Sequence, residues 1–353
     1  MLTRFANSRN VAVDLGCKLD KGVYLCPSMN RTGNVALIGR ANVGKSTFLN
    51  MALGEPLAIV SSRPQTTRET LLGIVYWNEA EIGLIDCPGF HQPINELGRL
   101  MNAAAMDGLL HSDVVLFITD AAALVHTSRS RSSATTPKQL ERDFQLLAEI
   151  PADKPGMIVV NKIDLFADKT RLLPILADLA GVRPTYPIIP TSCLLRADVV
   201  RVLDVLTPLL PEGAHRYSQD TLTDRPVRYF VTEYIREQVI HTTSGEIPFA
   251  VAVTLDEFSE FPTITAIKAT ISVEKDGQRA ILIGRGGRQI REVGILSRKR
   301  IEHLLQKQVH LELFVRTKKK WRDNRLHLDE MGYSAPKSAQ NHVESGPHRR
   351  GPK

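Results

Sequence analysis

The segment GRANVGKS, residues 39–46, sets two glycines, a lysine and a serine at fixed spacing directly after the apolar run NVALI. Backbone N–H groups can close on phosphate oxygens only where no Cβ stands in the way, which accounts for the glycines. In this pattern the lysine ammonium reaches the outer phosphates and the serine hydroxyl binds Mg²⁺. The segment therefore predicts a nucleoside triphosphate site with the residues Gly39, Asn42, Val43, Gly44, Lys45, Ser46 and Thr47.

Two further segments, DCPG at 86–89 and NKID at 161–164, each follow an apolar run and indicate which base is bound. Asp86 can hold the Mg²⁺ shell, and Gly89 can turn its N–H toward a γ-phosphate. The Asp164 carboxylate can accept hydrogen bonds from both N1–H and the exocyclic amine of guanine, a donor pair that adenine lacks. Since an unmade buried hydrogen bond costs about 1–3 kcal/mol, we predict a guanine nucleotide and discrimination against ATP.

The polar segment SSRPQTTRE, 61–69, lies between these motifs in the sequence. Such a loop can close over Mg²⁺ while the γ-phosphate is present and open after hydrolysis. We choose Thr67 rather than Thr66 as its metal ligand, beside Ser46 and Asp86.

The predicted catalytic groups are Lys45, Thr67 and Gly89, because phosphoryl transfer depends on positioning and charge neutralisation. Phe90 follows Gly89, at a position where small GTPases commonly carry a glutamine that orients water. Since Phe90 has no hydrogen-bonding group, we expect slow hydrolysis until a partner completes the site.

Apolar runs recur between residues 34 and 190 and alternate with helical stretches, such as those around 45–53 and 139–149. This alternation is typical of a mostly parallel sheet flanked by helices, whose nucleotide sites lie beyond the carboxyl ends of the strands. We therefore predict an α/β fold, the doubly wound sheet of a P-loop GTPase. The Ser-, Thr- and Arg-rich segment 125–137 is interpreted as a mobile surface loop.

A break rich in Pro, Gly and charge at 211–226 precedes a different pattern of helix, two strands, two helices and one strand. This order predicts a smaller α+β domain. Its IGRGG segment supplies a G-x-x-G turn, where the backbone and an arginine can grip consecutive phosphates of a single strand. The following KKKWRDN segment adds positive charge and one ring that could stack on a base. The predicted RNA-binding residues are Gly284, Arg285, Gly286, Gly287, Arg288, Lys318, Lys319, Lys320, Trp321 and Arg322.

Charge and composition agree with a polyanion partner. The chain carries a formal charge of +7, and residues 294–353 hold 14 basic against 6 acidic side chains. A local basic excess of this kind favours RNA or DNA, then an anionic membrane surface, with a solvated tail as the alternative. The four cysteines show no zinc or CxxC spacing, which predicts a reduced, intracellular protein.

Taken together, GRANVGKS, PQTTR, DCPG, NKID, IGRGG and KKKWRDN resemble the Era family of bacterial GTPases. The resemblance covers about residues 34–333. It implies a G domain followed by a KH domain of type II topology, which binds small-subunit ribosomal RNA and acts in assembly of the 30S subunit. It also implies GTP, GDP and Mg²⁺ as ligands, with K⁺ near Asn42 as an open possibility. The base ligands that it implies are Asn161, Lys162, Asp164, Ser192 and Cys193.

The sequence departs from the family at Cys87, where threonine is usual, and at Ser192–Cys193–Leu194, where SAL or SAK is usual. Neither change removes a catalytic group. The predicted organisation is an N-terminal extension without regular structure at 1–30, a G domain at 31–208, a linker at 209–224, a KH domain at 225–320 and a basic tail at 321–353.

Two other functions remain open at this stage. One is an RNA-binding scaffold that holds nucleotide without turning it over, and the other is a GTPase of tRNA modification or membrane association. The predicted location is the cytoplasm, with peripheral contact with the inner membrane left open, and the predicted state is a monomer.

Overall fold

The computed structural model describes residues 2–3, 18–20, 23–25, 31–123 and 138–334. The segment 125–137, predicted to be a surface loop, lies outside the described residues. The chain divides into two compact units. The first comprises Met1–Val60, Thr70–Phe90 and Gly108–Arg225, and the second comprises Ser61–Glu69, His91–Asp107 and Pro226–Lys353.

The strands of the first unit form a six-stranded sheet and two short pairs. They are β1 Leu2–Thr3, β2 Lys18–Asp20, β3 Val23–Leu25, β4 Arg31–Ile38, β5 Leu71–Trp77, β6 Ala80–Asp86, β7 Val114–Asp120, β8 Gly156–Asn161, β9 Ile188–Pro190 and β10 Thr221–Thr223. The large sheet has the order β5-β6-β4-β7-β8-β9, and all its neighbours are parallel except β5 and β6. The predicted doubly wound sheet is confirmed.

Burial explains why the central strands are continuous apolar runs. Every residue of β8 is buried, as are the first six residues of β7. Parallel strands covered by helices on both faces have no solvent side on which to place polar residues. The described α-helices that follow these strands are α1 Lys45–Leu53, α2 Glu96–His111, α3 Lys138–Glu149, α4 Leu173–Val182 and α5 Arg196–Leu206.

The N-terminal extension contains regular structure at some of its described residues. Strand β1 pairs with β10 in antiparallel fashion, and β2 pairs with β3. The extension that we predicted to lack regular structure therefore holds three short strands.

The second unit has the predicted order of helix, two strands, two helices and one strand. Its elements are α6 Val227–Thr242, α7 Ile247–Ala250, β11 Ala252–Glu260, β12 Ile264–Val273, α8 Asp276–Ile283, α9 Arg288–Leu305, β13 Gln308–Thr317 and α10 Arg325–Glu330. Strands β11 and β12 are antiparallel, and β12 and β13 are parallel. Helices α6 and α9 and the core face of β12 supply its buried apolar side chains.

Two predicted boundaries differ from the structure. The second module continues beyond residue 320, because Leu328, Met331 and Tyr333 are buried with Trp321 in one apolar cluster. The basic tail that we predicted to begin at 321 thus contributes core residues up to Tyr333. In addition, Ser61–Glu69 and His91–Asp107, assigned to the G domain from the sequence, pack in the second unit.

Within the described residues, no helix combines the length and the apolar character that crossing a bilayer requires.

Candidate functional site

The loop between β4 and α1 has the close contacts that require glycine. Gly44 has a φ of 108°, and a Cβ there would lie 2.1 Å from the Asn161 side-chain nitrogen. A Cβ on Gly39 would lie 2.2 Å from the Ile118 carbonyl oxygen. Helix α1 begins at Lys45, directly after the turn, so the unpaired N–H groups of its first turn face the loop.

Lys45 is held inside this loop. Its ammonium donates to the carbonyl oxygens of Gly39 at 3.1 Å and Arg40 at 2.9 Å, and the residue is 6% exposed. Burial lowers the pKa of Lys45, while the nearby Asp86 carboxylate acts in the opposite direction. Phosphate oxygens would be stronger acceptors than these carbonyls, since charge-assisted hydrogen bonds are shorter and stronger than neutral ones.

An ion pair between Arg40 and Asp143 holds this loop, and the sequence prediction did not include it. The Arg40 guanidinium donates to both carboxylate oxygens of Asp143, at 2.6 and 3.1 Å, and Thr119 donates to the same carboxylate at 2.5 Å. Asp143 is fully buried. Because the Arg40 carbonyl accepts from Lys45, Asp143 supports the position of Lys45, the predicted phosphate ligand, through Arg40.

The predicted magnesium ligands of the first unit converge. The Ser46 hydroxyl donates to the Asp86 carboxylate at 2.7 Å, and Asp86 is fully buried. Two adjacent ligands of one octahedral Mg²⁺ lie about 3 Å apart, so the pair fits such an ion. Thr67, the third predicted ligand, belongs to the second unit.

The DCPG segment lies against the phosphate loop. A Cβ on Gly89 would lie 2.6 Å from the backbone nitrogen and Cα of Ala41. The Phe90 N–H donates to the Gly39 carbonyl at 3.3 Å. These contacts place Gly89 against the loop between β4 and α1. Cys87 is fully buried.

Asn161 joins the phosphate loop to the base-binding loops. Its amide nitrogen donates to the Val43 carbonyl at 2.7 Å, and its amide oxygen accepts from the Cys193 N–H at 2.9 Å. Lys162 pairs with Asp120 at 2.6 Å. The exposed Asp164 accepts from the Ser192 hydroxyl at 2.7 Å. The structure thus brings together the residues predicted to recognise guanine.

Asp198 positions the Ser192 loop and was not predicted. Its carboxylate accepts from the Ser192 N–H at 2.7 Å and pairs with Arg201 at 2.5 Å. Burial is the main cause that raises the pKa of the neighbouring Cys193 thiol to about 12, with a further contribution from Asp198. Cys193 is therefore a neutral thiol at physiological pH, and its contribution to the site is its backbone N–H.

The G-x-x-G turn adopts a conformation that favours glycine. Gly286 and Gly287 are left-handed, with φ of 59° and 73°. Gly284 has a φ of 72°, and a Cβ there would lie 2.8 Å from the Gln289 side chain. Helix α9 starts at Arg288, directly after the turn.

An open groove of about 490 Å³ begins at this turn. Apolar and basic side chains from one side of α9 and from β13 line it. They are Ile290, Arg291, Ile295, Arg298, His310, Leu311 and Leu313, together with Gly286, Gly287 and Gly294. The sequence prediction included the turn and missed this lining, although the helical spacing of Ile290, Gly294 and Arg298 was a usable signal. A groove lined by apolar and basic side chains suits bases and phosphates of a single strand.

The prediction that Trp321 offers a stacking ring is wrong. Its side chain is fully buried, and its indole N–H donates to the Ala250 carbonyl at 2.9 Å. Lys318 pairs with Glu330, and Arg322 pairs with Glu274. Lys319 and Lys320 are exposed. Of the predicted basic segment, these two lysines are the side chains most accessible to a phosphate.

Comparison with known proteins finds a match in each half of the chain. Residues 34–162 match the family model described as 50S ribosome-binding GTPase, and residues 246–322 match the KH domain. GTPase Era of Xylella fastidiosa (strain M12) is 38% identical over 304 residues, covering 86% of this chain and 97% of that protein. GTPase Era of Geotalea daltonii is 39% identical over 303 residues, with the same shares.

Two solved structures are similar to most of this chain. One is Era in complex with MgGDPNP and nucleotides 1506–1542 of 16S ribosomal RNA, with a TM-score of 0.79 and 32% identity. The other is a variant of Aquifex aeolicus Era bound to GDP and AlF4⁻, with a TM-score of 0.78 and 32% identity. Each covers 86% of this chain and 99% of the solved chain. With this similarity along most of its length, the chain belongs to the Era family of GTPases.

Proposed function

We propose that this protein is a switch that binds and hydrolyses GTP and, through its KH module, binds the 16S RNA of the small ribosomal subunit during assembly of that subunit, with the nucleotide state controlling RNA binding. The observation that carries the nucleotide part is Asn161, which joins the phosphate loop at Val43 to the base loop at Cys193. The similar Era structure with MgGDPNP and 16S RNA supports the RNA part. The family model that matches residues 34–162 is described as a 50S ribosome-binding GTPase, which names the large subunit instead. We favour the small subunit because the solved Era structure that is similar to 86% of this chain contains 16S RNA.

Each group of the first unit has a definite role in this reaction. Lys45 exchanges its carbonyl acceptors for the β- and γ-phosphates and neutralises charge that develops there. Ser46 and Asp86 hold Mg²⁺, which supplies further positive charge beside the phosphates. Backbone N–H groups of the loop and of Gly89 orient the γ-phosphate. Asp164 recognises guanine, and the Cys193 N–H positions the Asn161 side chain beside it.

Turnover by the protein alone is slow under this proposal. Phe90 cannot orient a water molecule, so the chemical step depends on positioning by the remaining groups until a partner supplies the missing contact. A single-turnover assay with labelled GTP, with and without a 3′ fragment of small-subunit RNA, tests this. Release of phosphate in proportion to the protein concentration would support the proposal that the protein is a GTPase. Nucleotide binding without any phosphate release would favour the alternative of a passive RNA scaffold.

The RNA specificity has its own test. Crosslinking the protein to RNA in cells, followed by sequencing, should recover small-subunit RNA near its 3′ end. Recovery of tRNA or of large-subunit RNA would contradict the proposed target and favour a GTPase of another process. We also propose that the protein is a monomer and is located in the cytoplasm. Fractionation of cell extracts tests the alternative of peripheral contact with the inner membrane.

A K⁺ ion beside the phosphates is proposed from Asn42. This residue has a φ of 63°, within the phosphate loop, where an added cation would stabilise the charge of the transition state. We expect hydrolysis about tenfold faster in KCl than in NaCl at equal ionic strength if such a cation contributes about 1.4 kcal/mol. Equal rates in the two salts would leave Asn42 as an asparagine that only accommodates the left-handed backbone.

A further inference from the structure

Asp143 occupies a position in α3 where an apolar residue would be expected. The side chains of Leu140, Asp143 and Leu147 are all buried, at the spacing of one face of an amphipathic helix. Glu141 and Arg142, which precede Asp143 in the same helix, are exposed. Asp143 thus places a carboxylate between two apolar residues of the buried face, although charged residues of α3 otherwise have access to solvent at these neighbouring positions.

Two side chains satisfy both oxygens of this carboxylate. Arg40 donates through Nε to one oxygen at 2.6 Å and through Nη2 to the other at 3.1 Å, the paired geometry that arginine favours with carboxylates. Thr119, a fully buried residue of β7, donates its hydroxyl to the second of these oxygens at 2.5 Å. These three residues, Arg40, Thr119 and Asp143, form what we call the Asp143 network, and its three hydrogen bonds fix them relative to one another.

Stability alone does not account for the Asp143 network. The side chain of Arg40 is 15% exposed and that of Asp143 is not exposed at all. A buried ion pair recovers only part of the free energy that its desolvation costs, so apolar residues in its place often leave a protein equally stable or more stable. An apolar pair would therefore fill this part of the core as well. The polar pair differs because hydrogen bonds have preferred distances and directions, which hold the arginine in one orientation.

The backbone of Arg40 contacts two parts of the nucleotide site. Its carbonyl oxygen accepts from the Lys45 ammonium at 2.9 Å. Its main chain also forms an isolated parallel β-bridge with Phe90, the residue after Gly89. A displacement of Arg40 would therefore move an acceptor of Lys45 and the segment that contains Gly89 at the same time.

Such a displacement affects the chemical step more than nucleotide binding. Binding draws on many separate contacts to the phosphates and the base, and no single one of them decides it. Phosphoryl transfer depends on positioning, and a displacement of about 1 Å can lower a rate on the order of a hundredfold. Lys45 and Gly89 are the groups that act on the γ-phosphate under the proposed function, so their placement determines the rate.

We propose that Asp143 and Thr119 are positioning residues for GTP hydrolysis, which hold Arg40 so that Lys45 and the Gly89 segment meet the γ-phosphate in the geometry of the transition state. The proposal rests on the proposed function, because it assigns the network to hydrolysis of GTP. Asp143 and Thr119 act through Arg40. Charge alone predicts a different result, since loss of the Asp143 carboxylate makes the surroundings of an anionic nucleotide more positive and would by itself favour binding.

The first experiment separates the rate of the chemical step from affinity. In the full chain, Asp143→Asn should lower the single-turnover rate of GTP hydrolysis about tenfold to a hundredfold, with affinities for GDP and a non-hydrolysable GTP analogue within about threefold of wild type. Glu141→Gln removes the same charge at an exposed position of α3 and is the matched control, which should change none of these values. A wild-type rate in Asp143→Asn would overturn the proposal, as would a loss of GTP affinity that accounts for the whole loss of rate.

The second experiment distinguishes positioning from a purely structural role. Arg40→Met combined with Asp143→Leu replaces the ion pair by apolar side chains, so the unfolding temperature should equal or exceed that of wild type. The rate should still fall at least about tenfold, because nothing then fixes the direction of the carbonyl at residue 40. A stable double variant that hydrolyses GTP at the wild-type rate would overturn the proposal.

Thr119→Val tests the network from its other side. The substitution removes one hydrogen-bond donor to Asp143 and keeps a β-branched side chain in β7. It should lower the rate about threefold with GDP affinity unchanged, and a wild-type rate would contradict the role of Thr119. Absence of phosphate release by the wild type would instead contradict the proposed function, and the proposal would fall with it.

Discussion

Replacement of Asp164 by asparagine is expected to weaken GTP binding on the order of a hundredfold, because one charged acceptor becomes a donor that faces the guanine amine. Asparagine keeps one oxygen, so the hydrogen bond from the Ser192 hydroxyl can survive and the loop can keep its conformation. Xanthosine triphosphate, which has a carbonyl where guanine has the amine, should gain affinity in the variant. Competition binding with GTP, XTP and ATP gives all three values.

Asp178→Asn is the control for this prediction. It makes the same change of charge on the exposed face of α4 in the same unit. Its GTP affinity should equal that of wild type. Unchanged GTP affinity of Asp164→Asn would mean that the guanine site has been assigned to the wrong loop.

Substitution of Gly287 by aspartate is expected to lower affinity for small-subunit RNA by about tenfold to a hundredfold relative to asparagine at the same position. Both side chains are accepted in left-handed backbone, and the only heavy atom near a Cβ at Gly287 is 4.0 Å away. The pair therefore differs in charge and not in shape. A carboxylate at the start of α9 repels the phosphate that the turn is proposed to bind.

GTP affinity separates this effect from a loss of folding. Gly287→Asp and Gly287→Asn should bind GTP as tightly as wild type, because residue 287 lies outside the unit that holds Lys45 and Asp164. RNA binding of Gly287→Asp that equals that of Gly287→Asn across a salt titration would remove the turn from the RNA site. Gly284 is a poorer choice for this test, since any side chain there meets Gln289.

The nucleotide site could be predicted from the sequence because its residues lie in short motifs at strand ends. Parallel strands bring their carboxyl ends to one edge of the sheet, so β4, β6 and β8 assemble motifs that are far apart in the chain. Asp143 could not be found in this way. It contacts Arg40 across 103 residues of sequence, and a single aspartate on an amphipathic helix is indistinguishable from a solvated charge.

The burial of Trp321 could not be predicted from the sequence. An aromatic residue within a basic run has the same appearance whether it stacks on RNA or fills a core, and only the burial of its neighbours decides between the two. The apolar residues Leu328, Met331 and Tyr333 follow Trp321 in the chain and share its cluster. Polar residues stand between them, so the sequence shows no apolar run that would predict a core. The packing of Ser61–Glu69 with the second unit likewise depends on Val251 and Tyr333, which lie far along the chain.

Affinity for RNA in two nucleotide states tests the central claim most directly. The full chain is titrated against a labelled fragment from the 3′ end of small-subunit RNA, with a saturating GTP analogue or with saturating GDP, at one salt concentration. A protein in which GTP controls RNA binding should bind the fragment more tightly with the GTP analogue than with GDP. Equal affinities in the two states, with both nucleotides shown to be bound, would contradict the account.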